Sequence, residues 1–258
     1  MVIRKLLTKL GHKSLSDSIP DESLQIRMFA DAGLDWEQSC RIANQTVIES
    51  GIPRTDPSNH YEIFAGISQV CTPTSILEIG THRGVFTAFL AALWPAAKIV
   101  TYELPIKESL PRKLAVEPDL NRHYVPEFRN DADYRDAILS RFPNIELRLQ
   151  DSSALTHSLE TFQVVWIDGD HRYPVVAFDV ANAVRLCDPK GWIGVDDIRL
   201  RGTKVSNTSM GSTEGHETVR RITAAGMTNL HLVLKRGQKI RSQQTLAEHK
   251  HIAILRRN

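Results

Sequence analysis

Two short apolar segments separated by a helical stretch constrain the fold more than any other feature of this sequence. SILEIGTHRG (Ser75–Gly84) has the pattern of a buried strand and a glycine turn, and KIVTYEL (Lys98–Leu104) that of a second buried strand. Because Val85–Trp94 between them has a helical pattern, the region predicts a parallel β-α-β unit. Glu103 ends the second strand, and open α/β sheets bind their ligands just outside such strand ends.

The turn of this unit indicates the kind of ligand. Glu78 and Gly80 are expected to follow the first strand, and together with Gly84 they form an E-x-G-x-x-x-G pattern. The tighter G-x-G-x-x-G turn, which packs a helix N-terminus onto a pyrophosphate, is absent. Glu103 can accept two hydrogen bonds from a ribose diol, which indicates a nucleoside. Because the turn that binds a pyrophosphate is absent, we expect that nucleoside to carry no phosphates. The alternative is an ordinary β-α-β unit whose glycines only form the turn.

Length and charge limit the class of protein. A chain of 258 residues can bury a substantial core in one large domain with a small appendage. Its 32 basic and 30 acidic residues give a net charge of +2, which indicates neither nucleic acid nor an anionic membrane as the main partner. Cys40, Cys71 and Cys187 have no C-x-x-C spacing, which is typical of reduced thiols in a cytoplasmic protein.

The first 70 residues have helical patterns and lack strand signals. Helices are expected at Ser23–Asp31 and Trp36–Ser50. An amphipathic pattern also covers the first ten residues, but its apolar run is too short for a transmembrane segment and too interrupted for a signal peptide. We therefore expect a helical N-terminal cap at residues 1–70 and a catalytic domain at residues 71–258. Apolar surface on the cap could pair two copies in a homodimer.

Strand and helix patterns alternate along the rest of the chain. Three apolar runs that end on acidic or small polar residues predict further strands: Ile145–Leu149, Val164–Ile167 and Trp192–Val195. Helices are expected at Asp131–Phe142 and Tyr173–Leu186. The last two strand patterns, Asn229–Leu234 and His251–Leu255, are too close for a parallel crossover and predict an antiparallel hairpin. The predicted fold is α/β, a doubly wound, mostly parallel seven-stranded sheet with a C-terminal antiparallel hairpin and a helical N-terminal extension.

Two segments have no regular pattern. Pro105–Phe128 is rich in proline and is expected to be a loop with one helix at most. Arg199–Gly215 is rich in Gly, Ser and Thr, and it is either a lid over the strand ends or an ordinary surface loop.

Acidic residues recur where the predicted strands end. Asp151 and Ser152 follow the third strand, Asp168 follows the fourth, and Asp196 with Asp197 follows the fifth. Carboxylates at such positions are costly unless each has a donor, a ligand or a cation nearby. Asp151 alone suits a helix cap, so the other three favour a functional site.

These features together resemble the class I S-adenosylmethionine-dependent methyltransferases. The resemblance rests on the E-x-G-x-x-x-G turn, the acid ending the second strand, and the phrases VVWIDGDHRYPVVAFDV and GWIGVDDI, and it covers about residues 74–255. Within that class the chain is similar to the small-molecule O-methyltransferases of the macrocin and catechol type and to the family that reads I-D-G-D-H-x-Y. The resemblance implies methyl transfer to a hydroxyl of a sugar, a glycosylated natural product or a phenolic small molecule.

The resemblance also assigns roles to individual residues. The methionine part of S-adenosylmethionine would lie at Gly80 and Gly84, its ribose at Glu103 and its adenine at Asp151 and Ser152. The full implied set of cofactor-binding residues is Glu78, Gly80, Thr81, Gly84, Glu103, Asp151, Ser152 and Asp168.

The same resemblance implies a metal ion and a general base. Asp168, Asp196 and Asp197 would hold Mg²⁺, which prefers oxygen ligands and lowers the pKa of a bound hydroxyl. His171, together with Asp168, would form the catalytic group that takes up the hydroxyl proton. Alternatively, His171 is a structural cap beside Asp170, and the three acids support other residues of a metal-free enzyme.

Two further functions stay open at this point. The chain could be a metal-independent N- or carboxyl-methyltransferase on the same fold. It could also be a cofactor-binding subunit without catalysis, whose N-terminal helices dock onto a partner enzyme.

Overall fold

The computed structural model describes residues 22–54, 56–105, 130–200, 213–236 and 245–258. Three helices come before the sheet: α1 (Glu22–Asp31), α2 (Trp36–Ser50) and α3 (His60–Ile67). The sequence predicted α1 and α2, but α3, which has only eight residues and is buried on all sides, was not assigned. The amphipathic pattern in the first ten residues, and most of Pro105–Phe128 and Arg199–Gly215, lie outside the described residues.

A seven-stranded sheet forms the centre of the molecule, in the order β3-β2-β1-β4-β5-β7-β6. Its strands are β1 (Ser75–Ile79), β2 (Lys98–Glu103), β3 (Ile145–Leu149), β4 (Phe162–Ile167), β5 (Cys187–Arg199), β6 (Thr228–Leu234) and β7 (Lys250–Arg257). The first five strands pair in parallel, and β7 runs antiparallel to both of its neighbours. The predicted fold class and hairpin are confirmed. Because β7 inserts between β5 and β6, the edge strand on this side is β6.

Helices cover both faces of the sheet, as buried parallel strands require. Those that follow the early strands are α4 (Val85–Leu93), α5 (Asp131–Leu139), α6 (Val175–Leu186) and α7 (Thr213–Ala224). Successive strand residues face opposite sides, so Ile76 joins one hydrophobic cluster and Leu77 the other. The first cluster also contains Phe29 and Phe64, so the N-terminal helices share a core with the sheet.

The strand order places a topological switch point between β1 and β4. From β1 the chain moves outward to β2 and β3, then returns to the other side of β1 to form β4 and β5. The turns after β1 and β4 therefore leave the sheet side by side, where open α/β sheets form a ligand crevice. Within the described residues, no helix is both long enough and apolar enough to cross a membrane.

Candidate active site

Gly80 brings the turn after β1 into contact with the end of β4. The amide of Asp168 donates to the carbonyl of Ile79 at 2.8 Å. A Cβ atom on Gly80 would lie 2.4 Å from the carbonyl oxygen of Asp168, and Gly80 has a φ of +99°. Only glycine fits there, since the backbone is left-handed and has no room for a side chain. The structure thus brings two predicted site residues, Gly80 and Asp168, together.

Glu103 contacts the same turn through a hydrogen bond. Its Oε2 atom accepts a hydrogen bond from the backbone amide of His82 at 2.6 Å, and the residue is half-buried. The His82 side chain is 70% exposed, as expected for a surface turn residue. The carboxylate of Glu103 is thereby held at the carboxyl end of β2, where the sequence predicted it.

Glu78 and Thr81 face the interior beneath the turn. The expectation that Glu78 follows the first strand is wrong, because β1 continues to Ile79 and the Glu78 side chain points into the core. Its Oε2 atom accepts hydrogen bonds from the hydroxyls of Thr87 and, at 2.6 Å, Thr101. The hydroxyl of Thr81 is 2.6 Å from that of Thr101. Burial raises the pKa of Glu78 to about 8.

Gly84 has a packing reason for lacking a side chain. It precedes α4 with a φ of +70°, and a Cβ atom there would lie 2.8 Å from Cδ2 of Leu139 on α5. Because Gly84 has no side chain, Leu139 of α5 can pack against the start of α4. The cofactor role that the sequence assigned to Gly84 stays a prediction.

Asp151 caps the short 3-10 helix Ser152–His157, as its sequence position suggested. Its Oδ1 atom accepts a hydrogen bond from the amide of Ser153 at 2.8 Å. Hydrogen bonds from the side chain and backbone of Ser153 hold the pKa of Asp151 below its usual value. Contact of Asp151 and Ser152 with adenine stays a prediction.

Asp196 and Asp197 lie at a bulge in β5. They were expected after the strand, but β5 continues to Arg199 along β7, beyond the end of its pairing with β4 at Val195. Between Val195 and Ile198 the strand has one residue more than its partner, and Asp197 has a φ of +54°. Such a bulge redirects side chains. Both acids are nearly fully buried.

Two lysines of the C-terminal hairpin bind these acids. Nζ of Lys235 donates to Oδ2 of Asp196 and, at 2.7 Å, to Oδ1 of Asp197. Nζ of Lys250 donates to Oδ2 of Asp197, also at 2.7 Å. Sequence reasoning missed both lysines, which lie between the last two predicted strands. The available signal was their position directly after β6 and at the start of β7, which the predicted hairpin brings to one edge.

The charges of this cluster shift its pKa values strongly. Burial by itself would lower the pKa of Lys235, but the charges of Asp196 and Asp197 outweigh it and raise that pKa. Burial would raise the pKa of Asp197, but Lys235 and Lys250 hold it well below its usual range. For Asp196, burial dominates and raises the pKa well above its usual value. Lys235 is therefore a buried ammonium ion at neutral pH.

His171 lies beside the same acids. Its Nε2 atom is 3.5 Å from Oδ1 of Asp168 and 3.7 Å from Oδ2 of Asp197. Burial favours a lower pKa for His171, but the contact with Asp168 and the charge of Asp197 outweigh it, so the pKa is raised. Asp170 instead accepts hydrogen bonds from the backbone and side chain of Arg172.

The side chains of this cluster include candidate ligands for Mg²⁺. Asp168, His171 and Asp196 each offer one atom, and these atoms lie within 4.8 Å of one another. However, Asp196 Oδ2 and both oxygens of Asp197 already accept hydrogen bonds from ammonium groups. A hard divalent cation needs such oxygens for itself. The described residues therefore do not fit Mg²⁺ at Asp168, Asp196 and Asp197 while Lys235 keeps its position.

Comparison with known proteins agrees with this architecture. A family described as "Methyltransferase domain" matches residues 77–198, which run from β1 to β5 and contain the switch point. The comparison supports a methyltransferase domain at these residues. No curated protein sequence matches it significantly.

Solved structures share the fold of this chain. It is similar to the O-methyltransferase from Bacillus cereus in complex with SAH, with 17% identity and a TM-score of 0.54 over 90% of this chain and 96% of that one. It is also similar to a Klebsiella pneumoniae protein assigned as an O-methyltransferase, with 14% identity and a TM-score of 0.56 over 92% and 96% of the two chains. At this level of identity the likeness concerns the fold.

Proposed function

We propose that this methyltransferase transfers the methyl group of S-adenosylmethionine to a hydroxyl of a small molecule, such as a sugar, a glycosylated natural product or a phenol. One observation carries the proposal: the backbone of Asp168 contacts Gly80, while its carboxylate lies 3.5 Å from His171. Asp168 thus connects the cofactor turn to a candidate base. A methyl transferase needs these two functions side by side.

The residues at the carboxyl ends of β1 and β2 suit the nucleoside part of the cofactor. Glu103 has one carboxylate oxygen on the His82 amide, which orients the group for a ribose diol. Gly80 holds the turn close to the end of β4. S-adenosylmethionine, when bound, supplies a methyl group already activated by its sulfonium.

His171 is proposed to accept the proton that the acceptor hydroxyl loses. The proton would go to Nδ1, which has no hydrogen-bond partner among the described residues. Nε2 faces Asp168 and Asp197 and therefore carries the hydrogen of the neutral ring, and these two carboxylates would stabilise the imidazolium. His171 is only 6% exposed, so the site also keeps water away from the ring. The proposal includes no divalent ion. Cytoplasmic location and pairing of two copies through the N-terminal helices stay predictions from the sequence.

Calorimetric titration of S-adenosylmethionine into the wild type, Glu103→Ala and Asp133→Ala tests the proposal. Asp133 is a matched control because it is an exposed carboxylate on α5. We expect Glu103→Ala to weaken binding by about tenfold or more, which corresponds to about 1.4 kcal/mol, and Asp133→Ala to leave it unchanged. Absence of binding to the folded wild type would contradict the proposal. Equal losses in both variants would contradict the role of Glu103.

A further inference from the structure

Lys235 lies where the sequence resemblance places a metal ion. Its Nζ atom contacts both acids of the β5 bulge, at Oδ2 of Asp196 and Oδ1 of Asp197. The Lys235 side chain is 7% exposed, and those of Asp196 and Asp197 are buried still more deeply. The three side chains therefore form a buried cation site in which the cation is the Lys235 ammonium, and burial distinguishes it from a surface ion pair.

The backbone of Lys235 is held on both sides. Its amide donates to the carbonyl of Lys250 at 2.9 Å, and its carbonyl accepts from the amide of Asn59 at 2.7 Å. The Asn59 side chain also donates to the carbonyl of Leu234 at 2.7 Å. Because β6, β7 and the start of α3 all anchor this position, the ammonium is directed into the acidic cluster by the fold itself.

The charges of the cluster are already nearly balanced. Lys235 and Lys250 supply two ammonium groups to the carboxyl groups of Asp196 and Asp197, and His171 faces Asp168 and Asp197. A divalent ion at the bulge would lie next to the Lys235 ammonium, because the one oxygen of Asp196 without a hydrogen-bond partner among the described residues, Oδ1, belongs to the carboxylate that Lys235 binds. Like charges at such separations repel strongly in a buried site.

We propose that Lys235 is the resident cation of this acidic site and that its ammonium group excludes divalent metal ions from it. The site would therefore operate without a metal, in contrast to the metal-dependent enzymes that the sequence resembles. The inference uses the proposed function only to identify the site as the place of methyl transfer. Its test measures metal binding, which requires neither an acceptor nor activity.

The test is Mn²⁺ titration, followed by the electron paramagnetic resonance signal of the free ion, in the wild type, Lys235→Met and Lys98→Met. Lys98 is the matched control because it also contacts two carboxylates, Glu146 at 2.6 Å and Glu160 at 3.9 Å, but on an exposed surface. We expect Lys235→Met to gain one Mn²⁺ site that binds at least about tenfold more tightly than anything in the wild type or Lys98→Met. Adding Asp196→Asn to Lys235→Met should remove that site.

The opposite results would overturn the proposal. Binding of Mn²⁺ by the wild type at the affinity of Lys235→Met would show that the ammonium does not exclude the ion. Failure of a folded Lys235→Met to bind Mn²⁺ would show that something else excludes it. If Lys235→Met does not fold, thermal unfolding of the wild type decides instead: we expect the same midpoint in Mg²⁺ and in EDTA, and a higher midpoint in Mg²⁺ would refute the proposal. Lack of S-adenosylmethionine binding would affect only the proposed function.

Discussion

Replacing Glu78 with glutamine should make the protein more stable at alkaline pH. Glu78 is 1% exposed, and in the part of the chain that the structure describes only the hydroxyls of Thr87 and Thr101 donate to its Oε2 atom. Within the described residues no ion pair involves this carboxylate, so its ionisation inside the core is costly. Glutamine has nearly the shape of the protonated acid and can accept the same hydrogen bonds, but it has no proton to lose.

The size of the effect follows from the pKa of Glu78, which burial raises from 4.5 to about 8. A folded-state pKa above the unfolded value contributes stability that is complete below the unfolded pKa and is lost as the pH rises through the folded one. Each pKa unit corresponds to about 1.4 kcal/mol. Between about pH 6 and about pH 9 the wild type should therefore lose about 3 kcal/mol through Glu78, a loss that Glu78→Gln escapes.

The assay is urea unfolding of both chains at these two pH values. Other titrating groups are common to both, so they cancel in the difference between the variant and the wild type. Glu62→Gln is the control, because Glu62 is also buried but is bound at 2.7 and 2.9 Å by Arg54. Glu62→Gln should destabilise the protein at both pH values. A stability difference between Glu78→Gln and wild type that does not change with pH would refute the reasoning.

Three further predictions concern the turns and the base. Gly80→Ala should lower the free energy of unfolding by more than about 2 kcal/mol, since the new Cβ would meet the carbonyl of Asp168 at a φ of +99°; an unchanged melting temperature would contradict this. Once an acceptor is found, kcat/KM should rise with pH through a pKa above 6.5, because only neutral His171 accepts a proton, and His171→Gln should abolish this rise. Asp151→Ala should lower the free energy of unfolding, measured in urea, by about 1 kcal/mol, because the cap on the Ser153 amide is lost. Asp151→Asn should keep most of that stabilisation, because asparagine is also a good cap.

Local pattern was sufficient for most of the fold. The strand at Ile145–Leu149 and the helix at Trp36–Ser50 were predicted with the bounds that the structure shows. The other predicted elements differ from the observed ones mainly at their ends, because hydrogen bonding to neighbouring strands determines where a strand begins and ends. The strand expected at Trp192–Val195 extends to Cys187–Arg199 because β7 pairs with its second half. The helix His60–Ile67 was missed because an apolar run of eight residues does not by itself distinguish a short buried helix from a buried strand.

The sequence by itself determined the alternation of strands and helices, the glycine turn after β1, and the position of Glu103, Asp168 and His171 near strand ends. These follow from residue spacing along a few neighbouring residues. Only the tertiary structure decided what the acids contact. Lys235 lies 39 residues after Asp196 in the sequence, and the two meet because β7 inserts between β5 and β6 and because a bulge redirects Asp196 and Asp197. Strand order and register depend on contacts across the whole sheet, so the predicted hairpin could place Lys235 next to Lys250 but could not show that Lys235 occupies the acidic site.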